Sequence, residues 1–232
     1  MKCVILQPSY IPWRGYFHQI ALADVFVFYD DVQYDARGWR NRNKIKTPSG
    51  SRWITIPVHS KGSQTEHIPI NQISIDWTKP WNDEHWATLK HNYAKAPFFS
   101  QFADILQDLY SRKPAKLMDL TIPFTKIIAD ILGFQPTFLL SSQLQASGSK
   151  TDHLISILKI LGADHYISGP SASAYIDPEQ FHNAGITLEY MQYNYPDYPQ
   201  LYSPFDGQVS ILDLLFMTGS AARDYILGKE ND

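Results

Sequence analysis

The stretch CVILQPSYIPWRGYFHQIALADVFVFY, residues 3–29, decides the fold class. It begins with a short apolar run ending at Leu6, which predicts a buried strand, and continues into a loop that contains two prolines and a glycine. Apolar residues at helical spacing follow from Tyr16, and residues 25–29 predict a second buried strand. A strand, a helix and a strand in this order are typical of a parallel β-sheet with a right-handed crossover.

The rest of the chain extends this pattern. Three apolar-periodic segments, each broken by Pro or Gly, predict a helical middle block at about residues 80–134 that either packs on the sheet or forms a subdomain. Further strands are predicted at 52–58, after a hairpin turn at 47–50, and at 137–140, 165–168 and 187–193, with helices at 151–161 and 211–217. The predicted fold class is therefore α/β: a single domain over residues 1–232 with a mainly parallel, Rossmann-like sheet and helices on both faces.

Composition limits the classes of function. The 232 residues include 20 Lys and Arg against 23 Asp and Glu, a net charge of −3 that argues against nucleic acid as the main partner. The apolar runs are far shorter than the roughly 20 residues that a bilayer crossing requires, so we expect no membrane span. With one cysteine, Cys3, and no signal-peptide pattern, we expect a cytoplasmic protein.

Polar side chains follow the predicted strands at one edge of the sheet, where ligands of parallel α/β proteins bind. We expect these side chains to surround one pocket, and they are Gln7, Tyr10, Asp30, Asp31, Gln33, Ser168, Gly169, Ser171 and Tyr175. The aromatic content of 14% predicts that some rings also line this cleft. Turn formation and helix capping are the alternative role for the short polar residues.

A basic run at residues 37–46 holds five cations in ten residues. Alternate residues of an extended strand share one face, and here they are Arg40, Arg42, Lys44 and Lys46. Such a row suits phosphate, although a charged edge strand that resists aggregation is an equally good interpretation. The intervening Asn41 and Asn43 favour a ligand, whereas RNA as the source of phosphate has only weak support from one short run.

The sequence offers few candidates for metal ligands or for a catalytic nucleophile. No histidine spacing is typical of a zinc site, and no Walker loop, G-x-S-x-G or G-x-G-x-x-G motif is present. Asp30 or Asp31 is a candidate ligand for Mg²⁺ beside substrate phosphates, whereas Cys3 lies inside the first strand, where we expect its thiol to be inert. Lys150 opens a helix and is a candidate for a second anion site, with simple capping by Ser149 or Thr151 as the alternative.

Several groups of residues form a recognisable pattern over nearly the whole chain. They are Gln7, Pro8, Tyr10, Pro12, Trp13, Gly15, Tyr16 and Phe17; Ala23 and Asp24; residues 30–34, 39–45, 150–152 and 161–164; Tyr166, Ile167, Ser168, Gly169, Ser171 and Tyr175; Tyr198 and Gln200; and residues 210–214. In these motifs the chain resembles the WbqC-like family of bacterial proteins. The resemblance implies an association with genes for surface polysaccharides such as O-antigen and for amino sugars, but it implies no particular reaction.

The opening strand, loop and helix are also similar to the first motif of HIGH-type nucleotidyl-transferring Rossmann enzymes such as pantothenate synthetases. In those enzymes two histidines flank a glycine, whereas Trp13 and Tyr16 flank Gly15 in this chain. Without the imidazoles, the similarity implies only that the loop and the helix amino terminus bind phosphate.

Two functions follow as expectations. The first is a transferase that modifies a nucleotide-linked amino sugar, with its phosphates on Arg40, Arg42 and Lys44. A sugar or base would stack on Trp13, Tyr16 or Trp39, and Asp30 or Asp31 would serve as the base or as a Mg²⁺ ligand. The second is a non-catalytic binding or assembly protein of the same pathway, whose aromatic surface docks an enzyme.

Overall fold

A computed structural model describes residues 1–174 and 176–228 of the chain. Its strands, in chain order, are β1 (Lys2–Leu6), β2 (Val25–Phe28), β3 (Arg42–Thr47), β4 (Gly50–Thr55), β5 (Val58–His59), β6 (Ser74–Ile75), β7 (Thr137–Leu140), β8 (His165–Ser168) and β9 (Thr187–Tyr190). Its helices are α1 (Arg14–Leu22), α2 (Trp81–Tyr93), α3 (Phe99–Ser111), α4 (Met118–Ile131), α5 (Lys150–Leu161), α6 (Pro178–Asn183), α7 (Ile211–Thr218) and α8 (Ala222–Leu227).

The central sheet is parallel, as the sequence predicts. Its five strands lie in the order β7-β2-β1-β8-β9, and each neighbouring pair is parallel. From β1 the chain builds the sheet outward through β2 to β7, and then crosses to the other side of β1 to form β8 and β9. The direction of winding therefore reverses between β1 and β8, and a crevice opens at the carboxyl ends of these two strands.

The strands bury side chains on both faces of the sheet. Val4 and Phe26 belong to a core that also contains side chains of α1, α4 and α7, whereas Ile5 and Val27 face a second core built with α5 and α6. Adjacent residues of a strand point to opposite faces, so a strand between two helical layers must be apolar throughout. This requirement explains the continuous apolar runs at β1 and β2, and the predicted layers on both faces are confirmed.

The predicted helical block consists of α2, α3 and α4. Phe99 and Phe102 of α3 pack against Phe216 of α7 within the same core that covers one face of the sheet. No helix in residues 1–174 and 176–228 has both the length and the apolar character that crossing a bilayer requires.

A β-hairpin, β3–β4, lies outside the central sheet, and β4 begins after the turn at Gly50, whose φ is 104°, a conformation that glycine adopts without steric cost. The prediction of one strand at 52–58 is wrong in extent, because β4 ends at Thr55 and β5 begins only at Val58. Pro57 between them has no backbone N–H to extend a ladder. The short strands β5 and β6 form a separate antiparallel pair.

Candidate ligand-binding site at the sheet edge

A pocket of about 370 Å³ lies at the crevice between the carboxyl ends of β1 and β8. The loop after β1, helix α1, the segment before β3, the loop after β8 and the residues after β9 all contribute to its walls. Among the lining side chains and backbone groups are those of Trp13, Tyr16, Gln19, Trp39, Arg40 and Gly169. The volume lies within the range of small-molecule pockets, and ligands of doubly wound α/β folds bind at this position of the sheet.

Asn43 fixes the shape of the loop after β1. Its buried side-chain N–H group donates to the backbone oxygens of Tyr10 and Ile11, at 3.2 Å and 2.8 Å. Ile11 has a φ of 36°, a strained value for a β-branched residue, so the loop needs such external support. The backbone N–H of Tyr10 also donates to the oxygen of Arg40 at 3.1 Å. The hairpin thus holds the loop that forms one side of the pocket.

Aromatic rings form one wall of the pocket. The indole of Trp13 packs edge-on against Tyr193, with 4.9 Å between the ring centroids, and it lies directly over Gly15. The hydroxyl of Tyr16 donates to the backbone oxygen of Gln7 at 3.2 Å. Burial raises the pKa of Tyr16 above its ordinary value, so its hydroxyl is neutral at physiological pH.

Arg40 brings positive charge to the pocket. Its guanidinium donates to the hydroxyl of Ser9 at 2.7 Å, which positions it beside the loop after β1. None of the described residues that line the pocket is an Asp or a Glu. An anionic group such as a phosphate therefore meets a cation and no opposing carboxylate among these residues.

Gln19, on the second turn of α1, is a pocket residue that the sequence analysis missed. It is 3% exposed, and its side-chain N–H group donates to the hydroxyl of Tyr193 at 2.8 Å. The sequence did contain a signal for Gln19, because a glutamine three residues after Tyr16 and next to Ile20 falls on the buried stripe of the helix. Tyr193 was missed as well, because the strand predicted at 187–193 is wrong in extent: β9 ends at Tyr190, and Tyr193 lies in the segment after it.

Asp30 and Asp31 lie one strand away from this pocket, after β2. Asp30 is 1% exposed and points toward the end of β7, where its carboxylate accepts hydrogen bonds from the backbone N–H of Ser142 at 2.9 Å and from its hydroxyl at 2.7 Å. The hydroxyl of Ser141 lies 3.1 Å from the same carboxylate and accepts the backbone N–H of Asp30 at 3.0 Å. These contacts tie the end of β2 to the end of β7.

Asp31 belongs to a second polar cluster. Its carboxylate accepts a hydrogen bond from the hydroxyl of Ser141 and lies 3.9 Å from Nε2 of His153, in the first turn of α5. Nδ1 of His153 is 2.8 Å from the hydroxyl of Tyr29. The Asp31 side chain is 27% exposed, so of the two aspartates it is the one that a ligand can approach.

The cations of the basic run do not act together on the pocket. Arg42 and Lys44 lie over the ring of Trp53, at 4.7 Å and 5.5 Å from its centroid, and neither lines the pocket. Lys46 is buried, and its ammonium group donates to the backbone oxygen of Pro204. Only Arg40 of the predicted row of four lines the pocket.

Comparisons with known proteins agree with the resemblance in the motifs. The sequence profile of the WbqC-like protein family matches residues 7–225. The chain belongs to the WbqC-like protein family. It is also 41% identical over 227 residues to the uncharacterized protein Rv1507c of Mycobacterium tuberculosis, with 97% of each chain covered. No solved structure matches the chain.

The family motif in the loop after β1 has a mainly structural role at Tyr10. This side chain is fully buried, and its hydroxyl contacts Nδ1 of His85 at 2.9 Å and the hydroxyl of Tyr110. Asn41, from the WbqC-like motif before β3, donates its side-chain N–H to the backbone oxygen of Ile56 at 2.8 Å. Both residues support the pocket from behind without lining it.

The remaining predicted residues are dispersed along the sheet edge. Gln7 donates to the backbone oxygen of Gln33 at 3.4 Å, and Gln33 lines a separate shallow depression. Ser168 is buried and does not line the pocket, although Gly169 and Ser171 after it do, and Lys150 is exposed at the start of α5. Tyr175 lies outside the described residues.

A cation site has little support in the described part of this WbqC-like chain. Residues 1–174 and 176–228 contain no group of three or more His, Cys, Asp or Glu side chains arranged to hold a metal ion. Asp30 already uses both carboxylate oxygens in hydrogen bonds, whereas the Asp31 carboxylate is partly exposed.

Proposed function

We propose that the protein is a transferase that acts on a phosphate-bearing substrate, a nucleotide-linked amino sugar, in the cytoplasmic biosynthesis of surface polysaccharide. The observation that supports this proposal best is the pocket between β1 and β8, which combines aromatic walls with the guanidinium of Arg40. Aromatic faces stack with sugars and bases, and a guanidinium binds phosphate through paired hydrogen bonds. The amino-sugar and polysaccharide parts of the proposal rest on the family alone.

The substrate would lie across the crevice with its phosphate on Arg40 and its base or sugar between Trp13 and Trp39. The amino-terminal turn of α1 adds to the attraction, because Trp13 supplies no side-chain cap and the first turn holds no acidic residue. Gly169, on the opposite side, allows the backbone after β8 to approach the ligand closely.

Asp31 is the better candidate for the base. It is partly exposed beside His153, which can share or relay a proton, while the carboxylate of Asp30 is occupied by Ser141 and Ser142. Asp30 would then be a positioning residue that keeps the loops after β2 and β7 in place. An acceptor group of the substrate would have to reach from the pocket toward β2 to use this base.

A thermal-shift screen with nucleotides and nucleotide-sugars tests the proposal. A ligand at a hundred times its Kd stabilises the folded protein by about 2.7 kcal/mol, which is readily visible. Arg40→Ala should abolish the shift, whereas Arg52→Ala, an exposed arginine of β4 that does not line the pocket, should retain it. If no nucleotide or nucleotide-sugar shifts the wild type, the proposal is wrong.

A second function, docking of a pathway enzyme without catalysis, is favoured by one surface feature. Trp39 and Trp53 are each 40% exposed, with 4.7 Å between their ring centroids, and Arg42 and Lys44 lie beside them. Exposed indoles next to cations are frequent in protein interfaces. Loss of binding to a purified polysaccharide-pathway enzyme on Trp53→Ala, with no nucleotide-sugar binding by the wild type, would favour this function.

A further inference from the structure

We propose that Gln19 and Tyr193 form a subsite for the sugar of the substrate, in which the side-chain oxygen of Gln19 accepts a hydrogen bond from an O–H or N–H group of that sugar. This inference rests on the proposed function and extends it from phosphate binding to recognition of the sugar. The two residues come from α1 and from the segment after β9, and both line the pocket between β1 and β8.

The geometry of the Gln19 amide carries the argument. One of its two N–H hydrogens is donated to the hydroxyl of Tyr193 at 2.8 Å, and this bond orients the amide. Its oxygen Oε1 is buried and has no hydrogen-bond partner among the described residues. A buried acceptor without a partner costs free energy, and natural proteins keep such groups mainly where a ligand or an ordered water satisfies them.

Tyr193 completes the subsite with a donor. Its oxygen accepts the hydrogen bond from Gln19, so its own proton remains to be donated. Burial raises the pKa of Tyr193 to about 12, and the hydroxyl therefore keeps this proton at neutral pH. The hydroxyl lies 3.6 Å from the point where a Cβ at position 169 would stand, close to the loop after β8.

An acceptor next to a donor matches two groups of a sugar. A hydroxyl can donate to Gln19 and accept from Tyr193 through one oxygen, and an acylamino group can do the same through its N–H and its carbonyl oxygen. The indole of Trp13, packed against Tyr193, offers an apolar surface for the sugar ring beside these polar groups. A nucleoside diphosphate also carries ribose hydroxyls, so its comparison with the sugar conjugates assigns the subsite to the attached sugar.

Isothermal titration calorimetry of three probes tests the inference. The probes are a nucleoside diphosphate, its glucose conjugate and its N-acetylglucosamine conjugate, with the base that stabilises the wild type most in a thermal-shift screen. Gln19→Leu should weaken binding of at least one sugar conjugate by about tenfold, because the O–H or N–H group of the sugar loses the side-chain oxygen that accepts its hydrogen bond. The same variant should leave the Kd of the diphosphate within about twofold. Loss for glucose indicates a hydroxyl in the subsite, and loss for N-acetylglucosamine alone indicates the acylamino group.

Two further variants keep the result interpretable. Tyr193→Phe removes the group that fixes the Gln19 amide and should weaken the same conjugate, and Gln107→Leu, an exposed glutamine on α3, should bind all three probes like the wild type. Equal Kd values for wild type and Gln19→Leu with every conjugate would overturn the sugar subsite while leaving the proposed function intact. A wild type that binds none of the probes would overturn both.

Discussion

Gly15 lies directly beneath the indole ring of Trp13, and a methyl group at this position would stand 2.3 Å from a ring atom. The ring would have to move out of the pocket wall. We expect Gly15→Ala to lower the free energy of unfolding by about 1 to 2 kcal/mol, since overpacking outweighs the gain in helix propensity. Urea denaturation measures this change. In a Trp13→Ala background the clash is absent, so Gly15→Ala should lower the free energy of unfolding much less there. An equal loss in both backgrounds would show that the clash with the Trp13 ring is not the cause.

Asp30 and Asp31 are adjacent residues with different surroundings, and we expect their substitutions to separate stability from activity. Asp30→Asn should lower the free energy of unfolding by about 2 to 4 kcal/mol, because a buried carboxylate loses charge-assisted bonds to the N–H and the hydroxyl of Ser142. Asp31→Asn should change the free energy of unfolding by less than about 1 kcal/mol, since its carboxylate is partly exposed.

Turnover gives the complementary measurement for these two variants. Once the transferred group is identified, Asp31→Asn should reduce kcat at least tenfold if Asp31 is the base. A variant with full kcat would remove Asp31 from the chemistry. The sequence alone suggested one role for both aspartates, because it does not show that Asp30 turns toward β7.

At the scale of elements, the β3–β4 hairpin supports the loop after β1 through Asn43. Asn43→Ala removes two buried hydrogen bonds to that loop, where Ile11 already has a positive φ. We expect a loss of about 2 to 3 kcal/mol in unfolding free energy, together with weaker ligand binding, because the same loop carries Ser9, which contacts Arg40, and because Asn43 itself lines the pocket. Ser51→Ala on the same hairpin loses one exposed bond to Asp206 and is the control. Equal effects of the two variants would show that the hairpin does not shape the pocket.

The elements also show how far sequence patterns reach. The strands predicted at 137–140 and 165–168 coincide with β7 and β8, because short apolar runs between turn residues leave few alternatives. The common sheet edge was predictable for the same reason. The strand order was not predictable, because it depends on packing between distant segments. This order decides that the loops after β1 and β8 form the pocket, while Asp30 lies beside β7. Gln19 and Tyr193 meet only through that packing.

At the scale of the whole molecule, His85 links α2, the loop after β1 and the β4 backbone at Thr55. Burial lowers the pKa of His85 to about 4, from 6.5 in the unfolded chain. As the pH falls below 6.5, the unfolded chain takes up the proton first, so stability that is present above pH 6.5 is lost on the way to pH 4. We expect about 2 kcal/mol of this loss by pH 5. Urea denaturation at pH 7 and pH 5 measures it.

Matched histidine variants isolate this contribution. His85→Gln should flatten the pH dependence of unfolding, whereas His91→Gln, an exposed histidine on the same helix, should leave it unchanged. The contribution of Asp213 to the pH dependence of stability has the opposite sign, because burial raises the pKa of this residue. Asp213 is present in the wild type and in both histidine variants, so its contribution does not affect their comparison. Parallel pH profiles for the wild type and His85→Gln would therefore show that His85 does not contribute.

The pocket joins Trp13 to Gln208, from segments that are far apart along the chain. A bound ligand consequently acts as a reversible cross-link, which restrains the early and late segments together rather than one at a time. Hydrogen–deuterium exchange should slow in both segments at the same ligand concentration. A protein cleaved once in an intervening exposed loop should hold its two fragments together longer when ligand is present, so the ligand would preserve the molecule even after its backbone is broken.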